Sequence, residues 1–152
     1  MLIGPYRSLK LISPISALGL WFRAMNLIFD FDGTLVDYYG KPFPHIHEQL
    51  QGLKDKGYKL YVCSFNGSID QCLKETDLGQ YFSGVGFRTS FSKTEMINVL
   101  GALYGFSPSS IRYFDDDPNN VRDCRLQGIR AYHVDPFKGV TEYLLEEALT
   151  VV

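Results

Sequence analysis

Asn26-Leu27-Ile28-Phe29-Asp30-Phe31-Asp32-Gly33-Thr34-Leu35-Val36 reads as a buried strand that runs into a charged turn. Apolar residues lead directly into two carboxylates spaced i, i+2, and Gly-Thr follows. Residues two apart on a strand point to the same side. The alternation therefore predicts that Asp30 and Asp32 converge at the strand's C-terminal end. In an open α/β sheet that end is where ligands bind. Two carboxylates held together repel unless a cation or a shared proton offsets them. A hard divalent cation with oxygen ligands, Mg2+ above all, suits such a pair. The plainer alternative is a polar turn in which Gly33 supplies a positive φ.

Outward from this stretch, strand and helix signals alternate, which predicts an α/β fold with a parallel sheet. The first strand is expected over 27–31, followed by a loop over 32–44 with Gly40 and Pro42 as breakers. Ile46, Leu50 and Leu53 at i, i+4, i+7 predict a helix over 45–56, ended by Gly57. A second strand follows at Lys59–Cys63, then a helix over 69–76 capped by Ser68, then a turn over 77–82. An extended piece is expected over 84–88. A helix to Tyr104 should start at Ser92, with Glu95 completing a capping box. Further strands are expected at 111–114 and 129–134, separated by a helix from Pro118 to Leu126 that Gly128 closes. A last amphipathic helix at 140–149 carries Leu144, Leu145 and Ala148 on its apolar side. The gap between Asp32 and the second strand leaves no room for an inserted lid domain.

A chain of 152 residues suggests one domain with one core. Net charge is −2, and no Lys/Arg cluster forms a nucleic-acid footprint. Cys63, Cys72 and Cys124 have neither an even count nor C-x-x-C spacing, so buried thiols in a reducing compartment fit better than a disulfide frame or a zinc site. No apolar run is long enough to span a bilayer. The segment 1–24 has Arg7, Lys10 and Arg23, several serines and no acidic residue. It is read first as an extension of a domain over 25–152, packed on the body or partly disordered, and second as an organelle transit peptide. A cytoplasmic location is expected, with an organelle as the alternative. Membrane association is not expected, and a monomer or small homo-oligomer is.

The chemistry-bearing residues lie at a few points. Asp30 and Asp32 come first. Ser64 follows the second strand, in Ser64-Phe65-Asn66-Gly67. Lys93 opens a helix, where it opposes the dipole slightly and is better explained by an anionic ligand. Asp115-Asp116-Asp117 follow the strand at 111–114, and three adjacent like charges there are costly without a counter-ion. Asp117 is expected to cap the next helix, leaving Asp115 and Asp116 as alternative metal ligands. A carboxylate nucleophile can take a phosphoryl group and split hydrolysis into two easier steps. Mg2+ shields the repulsion between carboxylate and phosphate. A hydroxyl and backbone N–H groups near Ser64 can hold phosphate oxygens, Lys93 supplies a point charge, and the second carboxylate can serve as general acid and base. His45, His47 and His133 form no metal pattern: the first two belong to a loop or the surface, the third to the framework.

These residues, in this order, resemble the haloacid dehalogenase-like (HAD) superfamily of aspartyl-phosphate phosphatases. Asp30-Phe31-Asp32-Gly33-Thr34 is similar to its first motif, Asp-x-Asp-Gly-Thr, and Ser64, Lys93 and Asp115-Asp116 resemble the second, third and fourth. The missing lid resembles the capless subgroup. Asp77-Leu78-Gly79-x-Tyr81-Phe82, Ser92-Lys93 and Phe114-Asp115-Asp116-Asp117-x-Asn119-Asn120 are similar to the magnesium-dependent phosphatase (MDP) family. The resemblance implies a three-layer Rossmann-like fold with helices on both faces of a parallel sheet. It implies Asp30 as nucleophile and Asp32 as general acid/base. It implies Mg2+ held by Asp30, the Asp32 carbonyl and Asp116, and phosphate held by Ser64, Phe65, Asn66 and Lys93. The family tends to carry a basic residue where Phe65 stands. An aromatic there either stacks on a substrate ring or packs in the core.

The reading that follows is a Mg2+-dependent phosphatase acting on a small-molecule or phosphoprotein monoester. Alternatives are a phosphotransferase, a polynucleotide-end phosphatase of the same fold, a dehalogenase, or a non-catalytic interaction module. A dehalogenase needs no acidic fourth motif, and an interaction module would have lost Asp30 or Asp32.

Overall fold

The computed structural model describes residues 25–86 and 92–150. The expected extension at 1–24 and the end of the extended piece at 87–88 lie outside the described residues. Five strands build one parallel sheet: β1 (Asn26–Phe29), β2 (Lys59–Cys63), β3 (Gly84–Gly86), β4 (Ile111–Asp115) and β5 (Arg130–His133). Their order is β3-β2-β1-β4-β5, with β1 at the centre. The helices are α1 (Ile46–Asp55), α2 (Ile69–Glu75), α3 (Lys93–Tyr104), α4 (Pro118–Leu126) and α5 (Glu142–Leu149).

Strand alternation sorts the core into two layers. Leu27, Phe29, Leu60, Val62 and Phe114 face α1, α2 and α5, meeting Ile46, Leu50, Leu53, Ile69, Leu73, Leu145 and Ala148. Phe29 stacks on Phe114 at 4.9 Å between centroids, and Phe114 on Tyr132 at 5.6 Å, which joins β1, β4 and β5 across that face. Ile28, Tyr61, Cys63, Ile111 and Tyr113 face the other way, against Met96, Ile97 and Leu100 of α3 and Val121 and Cys124 of α4. A parallel sheet covered on both sides is mostly apolar at its centre, and all residues of β1 and β4 are buried, with Asn26, Arg112 and Asp115 the polar members. This is the expected three-layer α/β architecture. No large inserted domain occurs among the described residues, and the 30–45 connection carries only the bridges Asp32↔Val36 and Val36↔Pro42.

Several boundaries differ from expectation for local reasons. Strand β1 stops at Phe29, because the N–H groups of Leu35 and Val36 turn back onto the Phe31 carbonyl. His45 sits outside α1 with φ 68, in the left-handed region, rather than opening the helix. Ser68 occupies the N-cap position of α2, but its hydroxyl caps nothing. Its backbone (φ −106, ψ 24) is outside the extended region that aims a capping oxygen at the first turn. Asn66 does the local work instead: its Oδ1 accepts from Ser68 N at 2.8 Å and its carbonyl from Ile69 N at 3.2 Å. Helix α5 begins at Glu142, capped by the Thr141 hydroxyl, two residues later than the apolar pattern suggested. The capping box of Ser92 and Glu95 is present, as is the Asp117 cap of α4.

The thiols of Cys63 and Cys124 are buried and that of Cys72 is half-buried, all free. Burial pushes the Cys63 thiol up to about 12, so it packs as a small apolar group. Among the described residues no helix is long and apolar enough to cross a membrane.

Candidate active site

Strand β1 pairs in parallel with β2 on one side and β4 on the other, in register at Phe29↔Val62 and Phe29↔Phe114. The chain leaves β1 in one direction to β2 and later returns on the other side as β4. That reversal opens a crevice at the C-terminal edge of the sheet. Asp30 follows β1, Ser64 follows β2, Asp115 ends β4 and Asp116 follows it, so the register brings them to this crevice.

The oxygens that gather there are those of Asp30, Asp115 and Asp116, with one carboxylate atom of each within 4.8 Å of the others. Asp32 is half-buried and stands outside this group. The partners of Asp30 therefore come from the neighbouring strand rather than from its own. Asp30 and Asp115 are buried, and Asp116 is half-buried.

Lys93 is the cation among them. Only 3% exposed, it donates to Asp30 Oδ1 at 2.7 Å, to Tyr113 Oη at 3.1 Å and to Asp115 Oδ2 at 3.3 Å. The capping box explains its placement. Ser92 Oγ accepts from Glu95 N, and Glu95 Oε1 accepts from Ser92 N. This fixes the first turn of α3, whose buried residues are Lys93, Met96, Ile97 and Leu100. Burial alone would lower the Lys93 ammonium, but Asp30 and Asp115 outweigh it and hold it above the ordinary lysine range. Burial pushes the Asp30 carboxyl well above the ordinary carboxylate range; Lys93 pulls it back, and Asp115 pushes it further up. One ammonium thus pairs with two carboxylates, and a third, Asp116, lies beside them.

Asp115 is held on several sides. Asp117 N donates to its Oδ1 at 2.9 Å, and Asn120 Nδ2 to its Oδ2 at 3.0 Å. The Tyr113 hydroxyl also donates to Oδ2. Asp116 is less encumbered: Tyr38 Oη donates to its Oδ2 at 2.5 Å. His133 Nε2 lies 3.0 Å from the Asp116 carbonyl, and since a carbonyl only accepts, that nitrogen carries the proton. Gly33 has φ +79, as a turn glycine should. A Cβ there would stand 2.5 Å from Asp116 Oδ2. The Asp116 carboxylate occupies the room that a side chain at position 33 would take.

On the β2 side, Ser64 is buried and its Oγ accepts from Asn66 N at 3.0 Å. The Asn66 side chain is turned into its own loop toward Ser68 N and Cys72 Sγ. Phe65 is 46% exposed, with its ring centroid 4.9 Å from Lys93 Nζ. That removes the core-packing alternative and leaves an aromatic face at the rim, over the cation. Tyr38, 62% exposed, stands on the Asp116 side. His45 pairs with Glu48, and His47 lies 2.8 Å from Tyr81 Oη; neither belongs to the acidic group.

Sequence reasoning did not single out Tyr113, Tyr38, Asn120 or His133 for the site. Strand period carries the signal for Tyr113, which lies two before Asp115 and so on the same side of β4. Tyr38 and His133 approach through tertiary contacts that no local pattern encodes.

The sequence pattern of the haloacid dehalogenase-like hydrolases matches residues 38–134, well over half of the chain, and the chain belongs to that family. The match contains Ser64, Lys93, Asp115 and Asp116; Asp30 and Asp32 lie just before it. Similar solved structures include a haloacid dehalogenase-like family hydrolase from Streptococcus pneumoniae, 16% identical, with TM-score 0.65 over 81% of this chain and 90% of that one. The core domain of a protein provisionally assigned as a phosphoglycolate phosphatase, also from Streptococcus pneumoniae, is 21% identical, with TM-score 0.59 over 70% and 77%. A protein provisionally assigned as a phosphatase from Clostridium difficile is 16% identical, with TM-score 0.64 over 81% and 90%. At these identities the likeness is one of fold. No curated protein matches the chain in sequence.

Proposed function

We propose that this hydrolase is a Mg2+-dependent phosphatase of phosphate monoesters, akin to the capless magnesium-dependent phosphatases. The observation that carries the reading is the buried Lys93–Asp30 ion pair set beside Asp115 and Asp116 at the sheet's C-terminal edge.

The donor set fits a hard divalent cation: converging carboxylate oxygens, no sulfur or imidazole, and more negative charge than Lys93 offsets. Asp30 and Asp116 would hold the ion with the Asp32 carbonyl. Asp115, already engaged by Lys93, Tyr113, Asn120 and Asp117, serves better as a support. When bound, Mg2+ would shield the carboxylate from the incoming phosphate's charge. It would also favour the ionised form of Asp30 against the effect of burial.

Asp30 attacks phosphorus through a carboxylate oxygen. The bond from phosphorus to the leaving oxygen breaks, and Asp32 gives that oxygen a proton. Water then attacks the aspartyl-phosphate phosphorus and returns a proton to Asp32, releasing inorganic phosphate and the Asp30 carboxylate. Ser64 Oγ accepts from the Asn66 amide and keeps its own proton to donate to a phosphate oxygen. Lys93 holds its charge fixed beside the nucleophile. The Phe65 rim favours a leaving group with a flat or apolar face, on a small molecule or a phosphoprotein side chain. No large lid among the described residues restricts its size. A phosphotransferase would use the same first step with another acceptor in place of water.

Hydrolysis of p-nitrophenyl phosphate by the full chain is expected to require Mg2+ and to stop in EDTA. Turnover that persists in EDTA would sink the metal-dependent reading. Gly33→Ala is expected to cost about 1–2 kcal/mol of stability, since alanine resists the left-handed conformation. It should also displace the Asp116 carboxylate, raising the Mg2+ concentration needed for half-maximal activity about tenfold. A Mg2+ titration of activity beside a melting curve checks both, and an unshifted titration would remove Asp116 from the metal site.

A further inference from the structure

Strand alternation puts Tyr113 on the α3 side of the sheet, directly below Asp115. Its ring is wholly buried among Ile28, Met96, Ile97 and Leu100. A phenylalanine would satisfy that packing without the cost of burying a hydroxyl. The hydroxyl closes a ring of hydrogen bonds instead: it accepts from Lys93 Nζ at 3.1 Å and donates to Asp115 Oδ2, which itself lies 3.3 Å from Lys93 Nζ. A lysine ammonium has three N–H donors. Here Asp30, Asp115 and Tyr113 supply an acceptor for each.

We infer that Tyr113 is a positioning residue, whose hydroxyl, with Asp115, anchors Lys93 from behind so that its charge stays directed at Asp30 and the phosphate. The inference rests on the phosphatase reading above for its kinetic consequence, but not for its geometry. A flexible lysine stem would otherwise have several rotamers open to it. Three fixed acceptors leave one direction for the charge, and a preset charge stabilises a transition state without reorganising. Without the hydroxyl, one N–H loses its acceptor and the ammonium is free to shift off its line to Asp30.

The test compares wild type with Tyr113→Phe, with Tyr61→Phe as a control. Tyr61 is buried in the same apolar layer but packs on Tyr104 and Phe106, away from Lys93. With p-nitrophenyl phosphate and saturating Mg2+, Tyr113→Phe is expected to lower kcat about tenfold while KM moves less than about twofold. Inhibition by orthovanadate, which mimics the five-coordinate phosphorus, should weaken by a similar factor, and inhibition by inorganic phosphate should hardly change. Tyr61→Phe should leave all of these as in wild type. Asn120→Ala removes another donor to Asp115 from the half-buried face of α4, and should lower kcat in the same direction should Tyr113→Phe fail to fold. Wild-type kinetics in folded Tyr113→Phe, or equal losses in Tyr113→Phe and Tyr61→Phe, would overturn the inference. If wild type itself shows no Mg2+-dependent turnover, the phosphatase reading fails and the geometry is tested alone. The proton–nitrogen NMR signal of the Lys93 ammonium should then be protected from exchange in wild type and broadened in Tyr113→Phe. Identical signals in the two would overturn the inference.

Discussion

Asp30→Asn is expected to lower turnover of p-nitrophenyl phosphate by at least about a thousandfold, because the amide cannot form the aspartyl-phosphate. The same variant should melt no lower than wild type at neutral pH. Burial raises the folded-state pKa of Asp30 above its ordinary value. A carboxyl raised in this way opposes folding once the pH exceeds its unfolded pKa, and the opposition vanishes when it is protonated. Asparagine has no charge to desolvate, and Lys93 keeps Asp115 and Tyr113 as partners. Activity should therefore collapse while stability holds or rises, a separation expected where a functional group is held in an unfavourable state. Turnover and a thermal melt, with and without Mg2+, measure the two together. Near-wild-type turnover would remove Asp30 from the nucleophile's role, and a sharp fall in melting temperature would show that Asp30 supports the fold.

The centre of the sheet was legible because β1, β2 and β4 are short, largely apolar runs that end in polar or charged residues, as a doubly covered sheet favours. The capping box at Ser92 and Glu95 was legible because capping is a local exchange of hydrogen bonds. The reading of Asp30 and Asp32 as a converging pair carried strand alternation past the point where the strand ends. Once Leu35 and Val36 turn back on Phe31, period two no longer governs, and the carboxylates beside Asp30 come from the end of β4 and the residue after it. Lys93 alone looks like any surface lysine at a helix start. What buries it is the meeting of α3 with residues 63 positions earlier and 22 later, which no local pattern records. Asp115 and Asp116 were equivalent in sequence, and hydrogen bonding separates them. Asp115 is tied to Lys93, Tyr113, Asn120 and Asp117, whereas the Asp116 side chain takes a hydrogen bond from Tyr38 and meets Asp30.

Lys93→Met should do the opposite of Asp30→Asn to stability. Methionine fills most of the lysine stem's volume, so little packing is lost. What remains is Asp30, Asp115 and Asp116 within reach of one another and no cation among them. Removing one partner of a buried ion pair leaves an uncompensated charge, a loss of about 3 kcal/mol or more at neutral pH. The deficit should shrink as the pH falls and the Asp30 carboxyl, whose pKa burial raises, takes up a proton and relieves the repulsion. It should also shrink on adding Mg2+, since an ion that binds the folded chain stabilises it by mass action. Urea unfolding at neutral and mildly acidic pH, with and without Mg2+, resolves these contributions. The Mg2+-induced gain should be larger in Lys93→Met than in wild type, because the ion then replaces a missing charge rather than joining one already present. Activity should fall about a hundredfold or more even at saturating Mg2+, since the ion restores charge but not the directed ammonium beside the nucleophile. Wild-type stability in Lys93→Met would mean that the carboxylates are already neutral or hydrated in the folded chain, and the ion pair would lose its place as the organising contact of the site. A gain from Mg2+ equal in both proteins would separate the metal site from Lys93 and place the ion against Asp116 alone.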